Sequence, residues 1–312
     1  MKLEKEGIVL VYSHGAGQNI LVDKLPEIGE TLQAKSWDFN CDGGKGTNIA
    51  VGLARLGLKV SLITRVGDDV FADLANSWLI DAGVNIDFVE KDPKVRTSTG
   101  AVFVDAEGNN SIILSDGDTH IPHNLIDEGL KANERCSIFI TGFEIDPNDA
   151  IYSMAKAKEL GMYTIINPSP SSKEFLFEDA DLVVINEVEA RQMIENMEAN
   201  DYEVVAQEIC KNYKCKNLII TLGSKGYLLN TSYGVFKENA WPVPIVDTSG
   251  AGDGFLLAVA YALNSGKSLE ESCHWANLYS AISVGIRGTI PSYLPIEDVK
   301  NKMEKIEKGE RK

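Results

Sequence analysis

Short apolar runs alternate with amphipathic stretches along most of the chain. Ile8 to Tyr12, Val60 to Arg65, Ser137 to Thr141, Tyr163 to Asn167, Leu182 to Ile185 and Leu218 to Leu222 have the length and β-branched content of buried strands. Between them, apolar positions at helical spacing predict helices over Asn48 to Leu56, Phe71 to Ala82, Asp149 to Leu160, Glu187 to Met197 and Val204 to Tyr213. Strands alternating with helices build βαβ units, so the expected class is α/β, with a largely parallel sheet between helices. Two stretches break the alternation. Glu30 to Asn40, and Ser98 to Leu114 with a turn at Glu107-Gly108-Asn109-Asn110, read as strands without crossover helices. Antiparallel strands inserted into such a domain form a lid or a dimer surface. The economical reading is one domain over residues 1–312, with lid strands from about 10–42 and 98–116. The charged tail, Lys300 to Lys312, reads as a fraying helix.

Charge narrows the possible partners. With 46 Asp and Glu against 30 Lys and Arg, the formal net charge is −16. Such a surface repels phosphate backbones, so nucleic acid is not an expected partner, and any anionic substrate must be held by local features. No run of apolar residues is long enough to predict a membrane span. Met1 to Glu6 carries Lys and Glu where a secretory signal has its apolar core, so a cytoplasmic protein is expected. Cys41, Cys136, Cys210, Cys215 and Cys273 form no CxxC pair, which suits buried thiols in a reducing compartment. Cys210 and Cys215, five apart beside a helix end, could form half of a metal site, but no His or second Cys pair lies near them in sequence.

Two glycine-rich segments carry the candidate chemistry. Asp247-Thr248-Ser249-Gly250-Ala251-Gly252-Asp253-Gly254 runs into the apolar stretch Leu256 to Leu263. Small residues before a helix start let backbone N–H groups converge into an anion hole, reinforced by the helix dipole. A carboxylate set there, Asp253, can take a proton from a hydroxyl while the amides stabilise a transferring phosphoryl group. A glycine-rich helix start with an ordinary capping Asp is the competing reading. The second segment, Gly43-Gly44-Lys45-Gly46-Thr47-Asn48, also enters a helix. It is not a P-loop, because Gly46 stands where Ser or Thr is required. Lys45 and Asn48 offer donors to hydroxyls. Asn186 to Glu189 follows a strand and serves either capping or magnesium-water binding. Thr221 to Gly226 is either a nucleotide loop or a plain hairpin, and Glu144 follows the strand ending at Thr141. Gly15-Ala16-Gly17 is not a dinucleotide turn, since Ile20 replaces the third glycine and Pro26 follows too soon for a helix.

Taken together, Gly43 to Gly57 and Asp247 to Leu263 closely resemble the two motifs of the ribokinase (PfkB) family of carbohydrate kinases, ribokinases themselves most of all. Pro26 to Thr31 is similar to the family's lid segment, and Thr64 to Asp69 to its post-strand turn. Asn186 with Glu189, and Thr221 to Gly226, follow in the family's order, so the resemblance covers nearly the whole chain. It implies a ribokinase-like fold and an ATP-dependent kinase acting on a hydroxyl of a small sugar, in a homodimer formed through the lid. It implies Asp253 as base, with Gly250, Ala251 and Gly252 as anion hole. It implies ATP contacts from Asn186, Thr221, Gly223, Ser224, Gly226, Gly252 and Asn277, and magnesium with its waters ordered by Glu189. Sugar contacts are implied for Gly44, Lys45, Asn48 and Glu144. A monovalent cation, K+, is implied beside the anion hole at Asp247, Ser249, Ser283, Ile286, Gly288 and Ser292, largely through carbonyls.

One departure bears on the substrate. The family's first strand ends in Gly-Ser-x-Asn-x-Asp, whose Asn and Asp grip hydroxyls. Tyr12-Ser13-His14-Gly15-Ala16-Gly17 stands there, so the expectation is a site widened at Gly15 and Gly17. Asp42, beside Gly43, either takes over part of the lost grip or is a solvated turn residue. A nucleoside kinase, a phosphosugar kinase using Lys24, Lys35 or Arg96, and an inactive sugar-binding relative are the alternatives.

Overall fold

The computed structural model describes residues 6–107, 110–115, 117–194 and 201–308. The strands are β1 (Ile8–Val11), β2 (Gly15–Leu21), β3 (Ser36–Asp42), β4 (Val60–Gly67), β5 (Asn85–Asp92), β6 (Ser98–Val104), β7 (Asn110–Leu114), β8 (Ile138–Gly142), β9 (Tyr163–Asn167), β10 (Leu182–Asn186), β11 (Leu218–Thr221), β12 (Tyr227–Thr231) and β13 (Gly234–Glu238). The helices are α1 (Gly44–Arg55), α2 (Val70–Ala82), α3 (His123–Ala132), α4 (Pro147–Glu159), α5 (Glu187–Met193), α6 (Tyr202–Tyr213), α7 (Ala251–Asn264), α8 (Leu269–Ser283), α9 (Thr289–Ser292) and α10 (Ile296–Glu307).

A nine-stranded sheet in the order β13-β12-β11-β10-β9-β8-β1-β4-β5 forms the body. From β11 to β5 every pairing is parallel, and β12 and β13 close one edge as an antiparallel hairpin. The alternation of β1 shows why the sheet is buried on both faces. Ile8 and Leu10 join a core with α1, α7 and α8, while Val9 and Val11 join a second core with α3, α4 and α6. All four are fully buried, and each such side chain contributes about 1.5–3 kcal/mol as an upper estimate. The second sheet is small, in the order β3-β2-β6-β7, with β2 and β6 parallel and both edges antiparallel. Among the described residues no helix is long and apolar enough to cross a membrane.

Three boundaries differ from the sequence reading. The expected strand Glu30 to Asn40 begins only at Ser36, which pairs with Leu21, the last residue of β2; Glu30 N instead closes a turn onto Glu27 O. The helix expected over Asn48 to Leu56 begins at Gly44, about a turn earlier, with consequences for the site. The helix placed at Lys300 to Lys312 instead runs from Ile296 to Glu307, with Val299 and Met303 buried one turn apart against the α8 side of the core. That apolar stripe docks it where charge alone suggested fraying. Gly108 and Asn109 of the expected turn, residues 195–197 of the expected Glu187 helix and residues 309–312 of the tail lie outside the described residues.

Candidate active site

An α-helix leaves its first N–H groups without intrahelical acceptors. At the start of α1 four successive N–H groups each meet a side chain, three of them from outside the helix. Gly43 N donates to Asn48 Oδ1 (3.0 Å), Gly44 N to Asp42 Oδ1 (2.9 Å), Lys45 N to Glu144 Oε2 (2.9 Å) and Gly46 N to Ser13 Oγ (3.1 Å). Ser13 Oγ in turn donates to Glu144 Oε2 (2.6 Å). The start of α1 is thereby tied to residues following β1 and β8 and to the last residue of β3. Gly46 has no room for a side chain, since a Cβ would lie 2.1 Å from Ser13 O and 2.8 Å from Tyr12 Cβ. Gly46→Ala is expected to destabilise the fold by about 1–3 kcal/mol, the range for overpacking. A denaturant midpoint equal to the parent's would show that the backbone yields there at no cost.

Starting the helix at Gly44 puts Lys45 in its first turn and Asn48 one turn on, both aimed at α7. Lys45 Nζ lies 3.2 Å from Asp253 Oδ1, and Asn48 Nδ2 donates to Asp253 Oδ2 (3.1 Å). The same amide reaches Asp42 Oδ1 (3.1 Å), whose Oδ2 accepts from Thr289 Oγ1 (3.2 Å). Asp42 is therefore not a solvated turn residue. Burial and the nearby charge of Asp253 push its pKa up, against the bonds from Gly44 N, Asn48 and Thr289. Burial likewise raises Glu144, with Lys45 opposing. Burial works against the Lys45 ammonium, but Asp253, Glu144 and Glu189 together raise its pKa above the ordinary value.

The widened cavity expected at Gly15 and Gly17 is absent. A Cβ on Gly15 would lie 2.3 Å from Ser98 O, and one on Gly17 would lie 2.9 Å from Asp42 O and 3.0 Å from Asp42 Cβ. Gly17 pairs with Asp42 across the β2–β3 ladder, so the space beside Gly17 is taken by the Asp42 backbone carbonyl and Cβ. His14 points the other way and is buried, with Nδ1 2.6 Å from Thr47 Oγ1 and Nε2 3.0 Å from Asn76 Oδ1. Burial lowers its pKa to about 4, so it is neutral at neutral pH and ties the β1–β2 crossing to α1 and α2.

The loop before α7 is braced from behind. Gly250 has φ 71°, a conformation that favours glycine, and a Cβ there would strike Thr289 Cγ2 at 2.2 Å. Tyr293 Oη donates to Gly250 O (2.8 Å). Asp247 accepts from Ser249 N and Gly288 N (both 2.8 Å), and Val246 N and Asp247 N both donate to Val284 O. These bonds bring together the segments containing Asp247, Ser249, Ser283, Ile286 and Gly288. Ser283 Oγ and Ser292 Oγ bond local carbonyls, of Ser280 and Thr289. No side chain caps α7, and around Gly252 a Cβ would meet nothing within 4 Å, so the backbone is open on that side.

A family model described as pfkB family carbohydrate kinase matches residues 17–297. The chain belongs to the pfkB family of carbohydrate kinases. It is an ATP-dependent sugar phosphotransferase. Among its relatives, a deoxyribokinase of Salmonella typhi is 32% identical over 281 residues, covering 88% of this chain and 91% of that one. A ribokinase of Dictyostelium discoideum is 30% identical over 88% of this chain and 93% of its own. The solved structure of Arabidopsis thaliana ribokinase complexed with ribose and ATP superposes with a TM-score of 0.84 at 28% identity, over 96% of this chain and 99% of that one.

The remaining positions expected from the resemblance lie at the ends of β10 and β11, with Asn277 on α8. Asn186 and Thr221 are register partners across those strands. Asn186 and Glu189 form a reciprocal capping box (2.8 and 2.9 Å), so capping is a function the pair performs in the fold. Thr221 to Gly226 is a hairpin connection containing a short 3-10 turn, Gly223–Lys225, with Ser224 exposed. Asn277 Nδ2 holds the carbonyl of Asn239 (2.9 Å). Among the described residues no cluster of three or more His, Cys, Asp or Glu could hold a metal ion by itself. Ser13, Thr289 and the Arg65–Asp118 pair (2.7 Å) were not singled out from sequence. Ser13 alone had a signal, as the Ser of the family's first-strand motif.

Proposed function

We propose that this kinase transfers the γ-phosphoryl group of ATP to a hydroxyl of a free, unphosphorylated sugar or polyol, with Asp253 as general base. One observation carries the reading. Lys45 and Asn48, 208 and 205 residues away in sequence, place their donors on opposite oxygens of Asp253, at a helix start that no side chain caps. Such a carboxylate is aimed, its amides are open to an anion, and an entering hydroxyl would hydrogen-bond to it. Gly250, Ala251 and Gly252 form the anion hole in this reading. Gly44, Lys45, Asn48, Glu144 and Asp42 hold the sugar, and Asp42 supplies the carboxylate that Gly17 lacks.

The charge balance supports a neutral substrate. Asp42, Glu144 and Asp253 face a single cation, Lys45. Hydroxyl groups donate to such carboxylates, whereas a substrate phosphate would be repelled. Lys24 and Lys35 pair with lid carboxylates, Glu30 and Asp23. Arg65 lines a small cavity with Ser13 and Glu144, but Asp92 and Asp118 already match its charge. ADP release measured over free sugars, polyols, nucleosides and phosphosugars tests the reading. Turnover confined to the first two classes is expected, and preference for a phosphosugar or nucleoside overturns it.

Asn186, Thr221, Gly223, Ser224, Gly226, Gly252 and Asn277 would hold ATP. Magnesium would arrive with the phosphates, its waters ordered by Glu189, supplying charge neutralisation. The joined segments around Asp247 and Gly288 suit a K+ site built from carbonyls. Activity should therefore rise in potassium over sodium, and equal rates in potassium and in a bulky organic cation would remove that site. The four-stranded sheet acts as a lid over the sugar in this single-domain, cytoplasmic enzyme. Trp37 and Phe39, stacked at 6.4 Å and exposed on β3, support a homodimer formed through it.

A further inference from the structure

Cys210 and Cys215 take no part in the site. Cys210 lies in the last turn of α6, and Lys214, at φ 57°, turns the chain back so that Cys215 faces it. Their sulfurs are 3.1 Å apart, with the Cys215 thiol directed at Cys210 Sγ. Asn230 Nδ2, from β12, also points at Cys210 Sγ (3.3 Å). Cys210 is partly exposed and Cys215 is buried. Two donors point at one sulfur, and among the described residues no cluster of three or more His, Cys, Asp or Glu includes the pair, which distinguishes it from half a zinc site. They fit a peroxide-reactive thiol beside its resolving partner.

We propose that Cys210 and Cys215 form a reversible intramolecular disulfide when the enzyme meets a hydroperoxide. The Cys210 thiolate attacks one peroxide oxygen, the O–O bond breaks, and the leaving hydroxide takes a proton to become water. Cys210 is then a sulfenic acid. The Cys215 sulfur attacks it, the S–S bond forms, the S–O bond breaks, and a second water leaves with the Cys215 proton. The peroxide gains the two electrons that the thiols lose, and an external dithiol reverses the step by exchange. The order follows from the environments. The Cys215 bond and the Asn230 donor hold the Cys210 thiol below its ordinary pKa against the effect of burial, while the hydrogen bond to Cys210 and burial hold Cys215 above its own. Cys210 is therefore the thiol that gives up its proton more readily, and it is also the more exposed of the two.

The pair sits at the entry to β11, and the Thr221 end of that strand faces the proposed nucleotide loop. The bond clamps α6 to the strand it feeds without touching residues that meet a substrate. Oxidation is therefore expected to leave turnover close to that of the reduced enzyme. The same pairing prevents further oxidation of Cys210 to sulfinic acid, because Cys215 consumes the sulfenic acid first.

The native full chain, treated with a small excess of hydrogen peroxide and digested without reduction, provides the test. Trypsin cleaves after Lys211 and Lys214, so the Cys210 and Cys215 peptides stay together only if bonded. The expected result is one cross-linked peptide that a dithiol separates. Cys215→Ser should trap a dimedone-reactive sulfenic acid at Cys210, whereas Cys210→Ser should leave Cys215 unreactive in the folded protein. Circular dichroism of each variant shows whether it is folded. Peroxide that oxidises Cys136 or Cys273 while this pair stays reduced would overturn the proposal. So would sulfenic acid accumulating on wild-type Cys210 without a cross-link.

Discussion

Asp253→Asn is expected to lower turnover by about a hundredfold or more, the lower range for loss of a general base, while ATP still binds. The carboxylate is buried to 7% exposure and receives Lys45 Nζ on one oxygen and Asn48 Nδ2 on the other. An asparagine keeps the shape but must turn its own NH2 toward one of those two donors. The substitution therefore removes the proton acceptor and also loosens the groups that aim it. The positions proposed for the nucleotide on β10 and β11 are untouched, so ATP binding measured by calorimetry should be near the parent's. Turnover within a few-fold of the parent, with the fold intact by circular dichroism, would take Asp253 out of the mechanism.

Asp42→Asn should separate activity from stability. In steady-state kinetics with the best sugar, kcat/KM is expected to fall about tenfold or more, the size of one charge-assisted hydrogen bond, with the KM for ATP little changed. Stability should move the other way. The folded pKa of Asp42 is raised by burial and by Asp253, and that of Glu144 mainly by burial, so between the unfolded and folded pKa values the folded state binds more protons. Stability of the ligand-free protein from these groups is thus highest below the unfolded carboxylate range and falls as pH rises through the raised values. Above the raised values the variant removes one buried charge, so its melting temperature there should equal or exceed the parent's. A lower melting temperature together with unaltered sugar kinetics would make Asp42 a structural acceptor for α1 and Thr289 only. The tie between the two readouts is that a site burying several carboxylates for use by hydroxyls gives up stability until the hydroxyls arrive.

Much of this protein was legible along the chain because its information is local. Uninterrupted apolar strands such as Ile8 to Val11 require burial on both faces, which a parallel sheet between helices provides. Tyr163 to Asn167 was placed with both boundaries correct, and the two glycine segments with the carboxylate following them mark the family at any position in space. What sequence could not decide was reach between segments. Spacing put the helix start at Asn48, since glycines weaken a helix locally, yet α1 begins at Gly44 because Asn48, Asp42, Glu144 and Ser13 accept its first N–H groups. Three of those four acceptors lie outside the helix, two of them in loops far away in sequence. Absence misled in a similar way. Glycine at position 17 suggested an open cavity, but the β2–β3 ladder sets Asp42 opposite it and fills the space with another strand's carbonyl and Cβ. The residue types, and with them the chemistry available, were determined by the sequence alone. Which carboxylates share one amide, which amide starts a helix and which glycine lies under another backbone were decided by tertiary packing, because hydrogen bonds depend on distance in space and not along the chain.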